Sequence, residues 1–311
     1  MANSDLKGKT VGWIGTGRMG YAMAERLLKA GADLSAWNRT KSKAEPLAEL
    51  GATIVESPAE LADRDIIFTM VGGPADFIEV TKGENGVLAQ DGQVPGLLID
   101  CTSISEEASH EVREFATSVG TSMLDAPVSG NAKVVKAGKL SIVASGAQDA
   151  YDEALPYLEA IAVGVSYVGE GELARMVKIC HNVFLGVVTQ SLAEITVLAE
   201  KGGVPRHAFL DFINKSVMGS MFSRYKTPTF VNLDLTPTFT PLLLRKDMDL
   251  GLTAARELEV PMPVATTTRD AIQTMIGHGY TDTDFGALLH MVAKAANLEL
   301  KSEDKDVGTG L

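Results

Sequence analysis

Thr10-Val11-Gly12-Trp13-Ile14-Gly15-Thr16-Gly17-Arg18-Met19-Gly20 passes from a short apolar stretch into a glycine-rich turn, and from there into a helical pattern that continues to Ala30. That order decides the fold, because strand, G-x-G-x-x-G turn and helix together open a dinucleotide-binding βαβ unit. Gly15 permits the tight turn, Gly17 lets backbone N–H groups approach a pyrophosphate, and Gly20 lets helix and strand pack closely. The positive end of the helix then stabilises the anion. Thr16, Arg18 and Met19 complete the expected cofactor loop.

Downstream the same rhythm repeats. ADLSAW (32–37) precedes a helical pattern reaching Leu50, and DIIFTMV (65–71) and GLLIDC (96–101) read as further strands. SMLDAP (122–127), LSIVASG (140–146) and VSYVG (165–169) are strand candidates too, with a helical pattern over 151–161. Alternation of this kind predicts an α/β domain over 1–169: an N-terminal Rossmann fold with a doubly wound, mainly parallel sheet. Beyond Gly169 the signal is helical only. A long bridging helix is expected over 171–201, free of proline and stopped by Gly202, Gly203 and Pro205. Helices are also expected over 206–215, 242–258, 264–277 and 284–297, giving a C-terminal all-α domain over 170–311 for substrate binding and dimerisation. Asp282 and Asp284 sit where they would cap the last of these. The charged, small-residue tail KSEDKDVGTGL (301–311) is expected to be disordered.

Composition sets outer limits. At 311 residues, two domains are the better prior, and 45% hydrophobic with 22% charged residues is ordinary for a globular chain. A net charge of −12 would repel a polyphosphate backbone, which argues against nucleic-acid partners. The start, MANSDLKGK, lacks the apolar core of a secretion signal, and no uninterrupted apolar run approaches a membrane span, so a cytoplasmic protein without membrane partners is expected. Cys101 and Cys180 lie in apolar stretches without metal-ligand spacing, so both are expected to be buried, reduced thiols, and no metal site is expected. Apolar helix faces left to cover predict a homodimer or homotetramer.

After the second strand the chain reads Trp37-Asn38-Arg39-Thr40, where an NAD enzyme usually places an acid for the ribose hydroxyls. A guanidinium pairs instead with a 2′-phosphate, and Asn38 and Thr40 add hydrogen bonds, so NADP(H) is expected in preference to NAD(H). Val71, closing the third strand, is placed with the cofactor residues.

Lys178 and Asn182 are four apart on the bridging helix and so share a face. The surrounding MVKICHNVFLGVV is apolar on nearly every side, which predicts a buried helix and a lysine whose ammonium is disfavoured, able to exchange a proton near neutrality. A structural ion pair would explain an isolated buried lysine equally well. His181, adjacent but off that face, is not assigned chemistry.

These residues carry a resemblance that spans nearly the whole chain. The loop GTGRMG, the segment Asp125-Ala126-Pro127-Val128-Ser129-Gly130, the Lys178/Asn182 pair and Lys246-Asp247 together resemble the β-hydroxyacid dehydrogenase family, which includes 3-hydroxyisobutyrate dehydrogenases and semialdehyde reductases. The resemblance implies an oxidoreductase acting on a small 3-hydroxy acid or semialdehyde. It implies Lys178 as general acid/base, Asn182 positioning substrate, and Ser129 and Gly130 holding a carboxylate. It also implies Lys246 near the cofactor and Thr102 near the nicotinamide ribose. Three positions depart from the family pattern: Asn131 stands for a second glycine in the substrate segment, and Glu172 and Ala174 stand for glycines ahead of the lysine. Met218-Gly219-Ser220-Met221-Phe222 falls where similar enzymes line the substrate pocket. Two other readings share the loop: an NADPH-dependent imine reductase, a family that usually lacks the lysine, and a non-catalytic NADPH-binding regulatory protein.

Overall fold

The computed structural model describes residue 6, residues 8–90 and residues 92–311. It divides into two compact units, one ending at Lys178 and the other Ile179–Leu311, so the division falls inside a helix.

In the first unit the elements follow as β1 (Thr10–Ile14), α1 (Arg18–Lys29), β2 (Asp33–Trp37), β3 (Thr53–Ile54), β4 (Ile66–Thr69), α2 (Pro74–Lys82), β5 (Leu97–Asp100), α3 (Glu106–Val119) and β6 (Ser122–Asp125). The strands form one all-parallel sheet ordered β3-β2-β1-β4-β5-β6, the doubly wound arrangement whose strand order reverses between β1 and β4. Alternation along the strands explains why both faces are covered. Trp13, Phe68 and Ile99 enter one apolar cluster, while their neighbours Ile14, Ile67 and Leu98 enter another on the opposite face. A second, smaller sheet follows, built from β7 (Val128–Ser129), β8 (Ser141–Ala144) and β9 (Gly164–Tyr167), with α4 (Ala132–Lys136) and α5 (Gln148–Ile161) between its strands. An Asp125–Ser145 bridge joins it to the end of β6.

One expected helix is absent in α form. Between β2 and Gly51 the chain makes two 3₁₀ segments, Lys41–Lys43 and Glu45–Leu50. Pro46 supplies no N–H and disfavours the α region for Glu45, and Gly51 ends the segment with φ 99°.

Helix α6 (Leu173–Lys201) starts in the first unit and continues into the second, where α7 (Arg206–Lys215), α8 (Met221–Asn232), α9 (Pro241–Glu257), α10 (Pro263–Gly277) and α11 (Leu288–Ala295) follow. Although α6 has the length and apolarity of a membrane span, its Val183 side chain packs onto α9 so closely that a Cβ on Gly251 would lie 2.2 Å from it. The core of this unit gathers Phe230, Leu244, Met248, Ile272 and Phe285. Helix α8 is the element that the periodicity of the sequence does not announce. It carries Pro228 in its interior, and among its buried residues are Ser223, Lys226, Thr227 and Thr229. Lys226 is buried because it pairs with Asp284 and lies 4.0 Å from the Phe285 ring. Asp284 also caps the turn Phe285–Ala287, accepting from the Gly286 N–H at 2.8 Å.

Residues 301–311, expected to be disordered, are bound along α7 and α8. The first turn of α7 has no side-chain cap of its own, and Glu303 fills that role by accepting from the Arg206 and His207 N–H groups at 2.8 and 2.9 Å. Asn232 and Lys305 exchange a reciprocal pair of hydrogen bonds, 2.7 and 3.0 Å long. Buried Arg206 donates to the carbonyls of Phe230, Val231 and Lys301. Composition missed this because a few specific hydrogen bonds, together with Val307 packed on the apolar core, hold the segment.

Burial pushes the Glu303 carboxyl up, but hydrogen bonds from His207 and Arg206 outweigh it and hold it below the ordinary carboxylate value. A lowered folded-state value means that its stabilisation is complete above the unfolded value and lost as pH falls through the folded one. Glu303→Ala is expected to destabilise the helical unit by about 1 kcal/mol, the usual worth of an N-cap, and to speed amide exchange at Lys305. Acidification through the folded value should lower the protection factor of the same amide in the wild type. Exchange at Lys305 that ignores both changes would remove the capping role.

Candidate active site

The loop between β1 and α1 is shaped by what its glycines leave out. Gly15 has φ 96°, and a Cβ there would lie 2.3 Å from the Met70 carbonyl oxygen. A Cβ on Gly20 would lie 1.9 Å from the Gly15 carbonyl oxygen, and that oxygen also accepts from the buried Trp13 Nε1 at 2.9 Å. Around Gly17, by contrast, no atom lies within 4 Å of an added Cβ. Two of the glycines therefore serve packing, and the middle one faces open space. The first turn of α1 has no side-chain cap and no acidic residue, so its N–H groups and positive end are available to an anion. Among the described residues, Thr16 Oγ1 is buried without a hydrogen-bond partner. An open Gly17, an uncapped helix start and an orphaned hydroxyl together fit a bound pyrophosphate.

Asn38 braces this loop from β2, accepting from the Thr16 N–H at 2.8 Å and donating to the Thr40 carbonyl at 2.9 Å. Arg39 is largely exposed and forms an ion pair with Asp76 at 2.9 Å.

At the ends of β5 and β6 two buried carboxylates, Asp100 and Asp125, face the first turn of α6. Arg175 lies between them, 1% exposed, with Nη2 at 2.5 Å from Asp100 Oδ2 and 2.7 Å from Asp125 Oδ1, and it also donates to the Thr102 carbonyl. Burial alone would pull Arg175 down, but Asp100 and Asp125 overcome it and hold the guanidinium above its ordinary value. Arg113 forms a second arm, 3.0 Å from Asp125 and 2.6 Å from Glu172. The Thr102 hydroxyl accepts from the Val71 N–H at 3.1 Å, so two residues assigned to the cofactor are bonded to each other. Burial pushes the neighbouring Cys101 thiol up, which keeps it protonated and unreactive.

Lys178 follows Arg175 by one turn of α6 and is half-buried. Asn182, one turn further on, is buried, and its Nδ2 donates to Asp247 at 2.6 Å. Lys246 is about half exposed and stands 3.4 Å from the same carboxylate. The expectation of a buried helix needs correction, since Val177, Phe184, Ile195 and Leu198 are exposed, Leu198 by 73%. Cys180, expected to be buried, is also exposed; a long helix covers only the faces that meet its neighbours. His181 is exposed as well, in keeping with its lying off the Lys178 face.

Two family models account for almost the whole chain. Residues 10–169 match the NAD-binding domain of 6-phosphogluconate dehydrogenase, and residues 172–292 match the NAD-binding model of NADP-dependent 3-hydroxyisobutyrate dehydrogenase. The chain belongs to the β-hydroxyacid dehydrogenase family. Glyoxylate/succinic semialdehyde reductase 1 of Arabidopsis thaliana is 32% identical over 91% of this chain and 98% of its own length. A Mycobacterium tuberculosis 3-hydroxyisobutyrate dehydrogenase, solved with L-serine, superposes with a TM-score of 0.79 at 28% identity, covering 91% of this chain and 99% of that one. An imine reductase from Pseudomonas sp., at 18% identity and a TM-score of 0.60 over 91% of this chain and 99% of its own, shares the fold alone.

As a β-hydroxyacid dehydrogenase family member, the chain is an NAD(P)-dependent oxidoreductase, and its departures from the family pattern have physical roles. Asn131 caps α4, its Oδ1 accepting from the Lys133 and Val134 N–H groups at 3.0 and 3.1 Å, so the acceptor end of its side chain is engaged. Gly130 before it has φ 144°, with Val134 2.8 Å from where a Cβ would be. Glu172 binds Arg113, and the Ala174 N–H donates to Ser145 Oγ at 2.9 Å. Arg175 and Asp247, the groups that hold the α6 residues in place, went unassigned from sequence. Their partners lie 75 and 65 positions away, and spacing along the chain carries no signal of them.

Proposed function

We propose that this protein reduces a small semialdehyde to its 3-hydroxy acid, and catalyses the reverse oxidation, with NADP(H) preferred and Lys178 as the general acid/base. The observation that carries this reading is the junction of Lys178's helix with the sheet. Arg175, one turn before Lys178, is bonded to the carboxyl ends of β5 and β6, the edge at which doubly wound sheets bind their ligands.

Bound at the glycine loop, the nicotinamide cofactor would supply the hydride, or accept it in oxidation. The first-turn N–H groups of α1 and the Thr16 hydroxyl hold the pyrophosphate, and Arg39 with Thr40 binds the 2′-phosphate. The Ser129 hydroxyl and the Gly130 N–H take the substrate carboxylate. Lys178 donates a proton to the carbonyl oxygen during reduction and removes it during oxidation, while Asn182 orients the substrate. Two free thiols support action in a reducing compartment, and the exposed apolar residues of α6 support a homodimer or homotetramer, which light scattering on the wild type would test.

The deciding experiment is oxidation of NADPH and NADH against a panel of small semialdehydes, with cyclic imines alongside. Turnover of semialdehydes with NADPH supports the reading, whereas turnover of imines alone removes it. Arg39→Ala is expected to reduce the NADPH-over-NADH preference roughly tenfold, about 1.4 kcal/mol for one exposed charge-assisted contact. An unchanged ratio of kcat/KM values would take the 2′-phosphate role away from Arg39.

A further inference from the structure

Arg175 bonds to two segments and lies in a third, each belonging to a different part of the proposed site. Asp100 and the Thr102 carbonyl belong to the segment whose threonine hydroxyl accepts from Val71. Asp125 begins the segment that reaches Ser129 and Gly130. Arg175 itself lies in the first turn of α6, three residues before Lys178. A single buried guanidinium therefore joins the nicotinamide-side loop, the carboxylate-binding loop and the helix of the proton donor.

We propose that Arg175 is a positioning residue for Lys178, with the Arg113–Glu172 pair as its second arm. The proposal rests on the reading of Lys178 as general acid. Positions 172 and 174, where glycines would leave the chain ahead of a helix loose, carry Glu172, bonded to Arg113, and Ala174, bonded to Ser145. Arg175 fixes both the rotation and the rise of the first turn, because its planar fork meets carboxylates on two different strands through Nη2 and the Thr102 carbonyl through Nη1. An amine one turn along inherits that placement. A proton donor must reach its acceptor within hydrogen-bond distance, so a helix start free to shift by about 1 Å would cost as much as roughly 10²-fold in rate.

Arg175→Lys tests this, since it keeps the charge between the two aspartates and loses the fork. The variant is expected to melt cooperatively and, well below its midpoint, to show kcat reduced by about 10- to 100-fold with the KM for NADPH within about threefold. Its kcat–pH profile should also be displaced from that of the wild type. A purely structural arginine would lower the melting temperature and leave kcat and the profile alone, and that result overturns the proposal. If Arg175→Lys does not fold, Glu172→Gln on the partly exposed arm decides, with a smaller loss of kcat expected in the same direction and an unaltered kcat overturning the proposal. Lys178→Ala assayed in parallel separates the two ideas. If it turns over like the wild type, the reading of Lys178 has failed; if it is inactive while both clamp variants keep full kcat, the clamp has failed.

Discussion

Lys178→Ala is expected to fold, to bind NADPH with wild-type affinity and to lose kcat by about 10²–10⁴-fold, the range associated with removal of a general acid. Folding should survive because Lys178 is only half-buried, and because Arg175 ties down the first turn of α6. Cofactor affinity should survive because the groups assigned to pyrophosphate and 2′-phosphate all lie at the β1–α1 loop and the end of β2. A lysine with a structural role predicts the opposite pattern, with stability lost and kcat retained. Stopped-flow reduction under single-turnover conditions, beside a thermal melt, separates the two patterns, and a kcat within about threefold of wild type would exclude Lys178 from proton transfer.

The parts of this fold that are legible in sequence are those set by local chemistry. The β1–loop–α1 unit is read correctly because strand, glycines and helix are contiguous, and α6 is bounded within two residues because Gly202, Gly203 and Pro205 stop it. The register that sends Trp13 and Ile14 to opposite faces follows from the period of the strand. What escapes is set by partners far along the chain. Helix α8 looks unsuited to burial until Asp284 is brought to Lys226, and the tail looks free until Glu303 meets the start of α7. Asn131 is legible in another sense: an asparagine directly before a short helix is a common N-cap, and within the substrate segment it caps α4. Within the site, the residues that touch ligands in similar enzymes were assigned from motifs. Arg175 lies in no motif, and Asp247 lies in one that does not show its contact with Asn182, so the bonds by which they hold such residues in place are visible only in the fold.

The glycine loop yields a second large effect that distinguishes a cofactor cradle from a tight turn. Gly17→Ala is expected to leave the melting temperature of the free protein within about 2 °C, because its φ of −64° suits alanine and no atom lies within 4 Å of the new methyl. The same methyl would occupy the space through which a pyrophosphate approaches the backbone, and a displacement of about 1 Å there should weaken NADPH binding by roughly 10²-fold. Gly20→Ala should behave differently. Its methyl meets the Gly15 carbonyl oxygen at 1.9 Å, so helix and loop must separate, costing about 1–3 kcal/mol and lowering the melting temperature by several degrees even without cofactor. If the glycines served only packing, Gly17→Ala would be silent in both assays. Titration of NADPH fluorescence with the two variants therefore weighs the loop's function directly, since only a ligand at Gly17 makes the harmless substitution in the free protein the damaging one for binding.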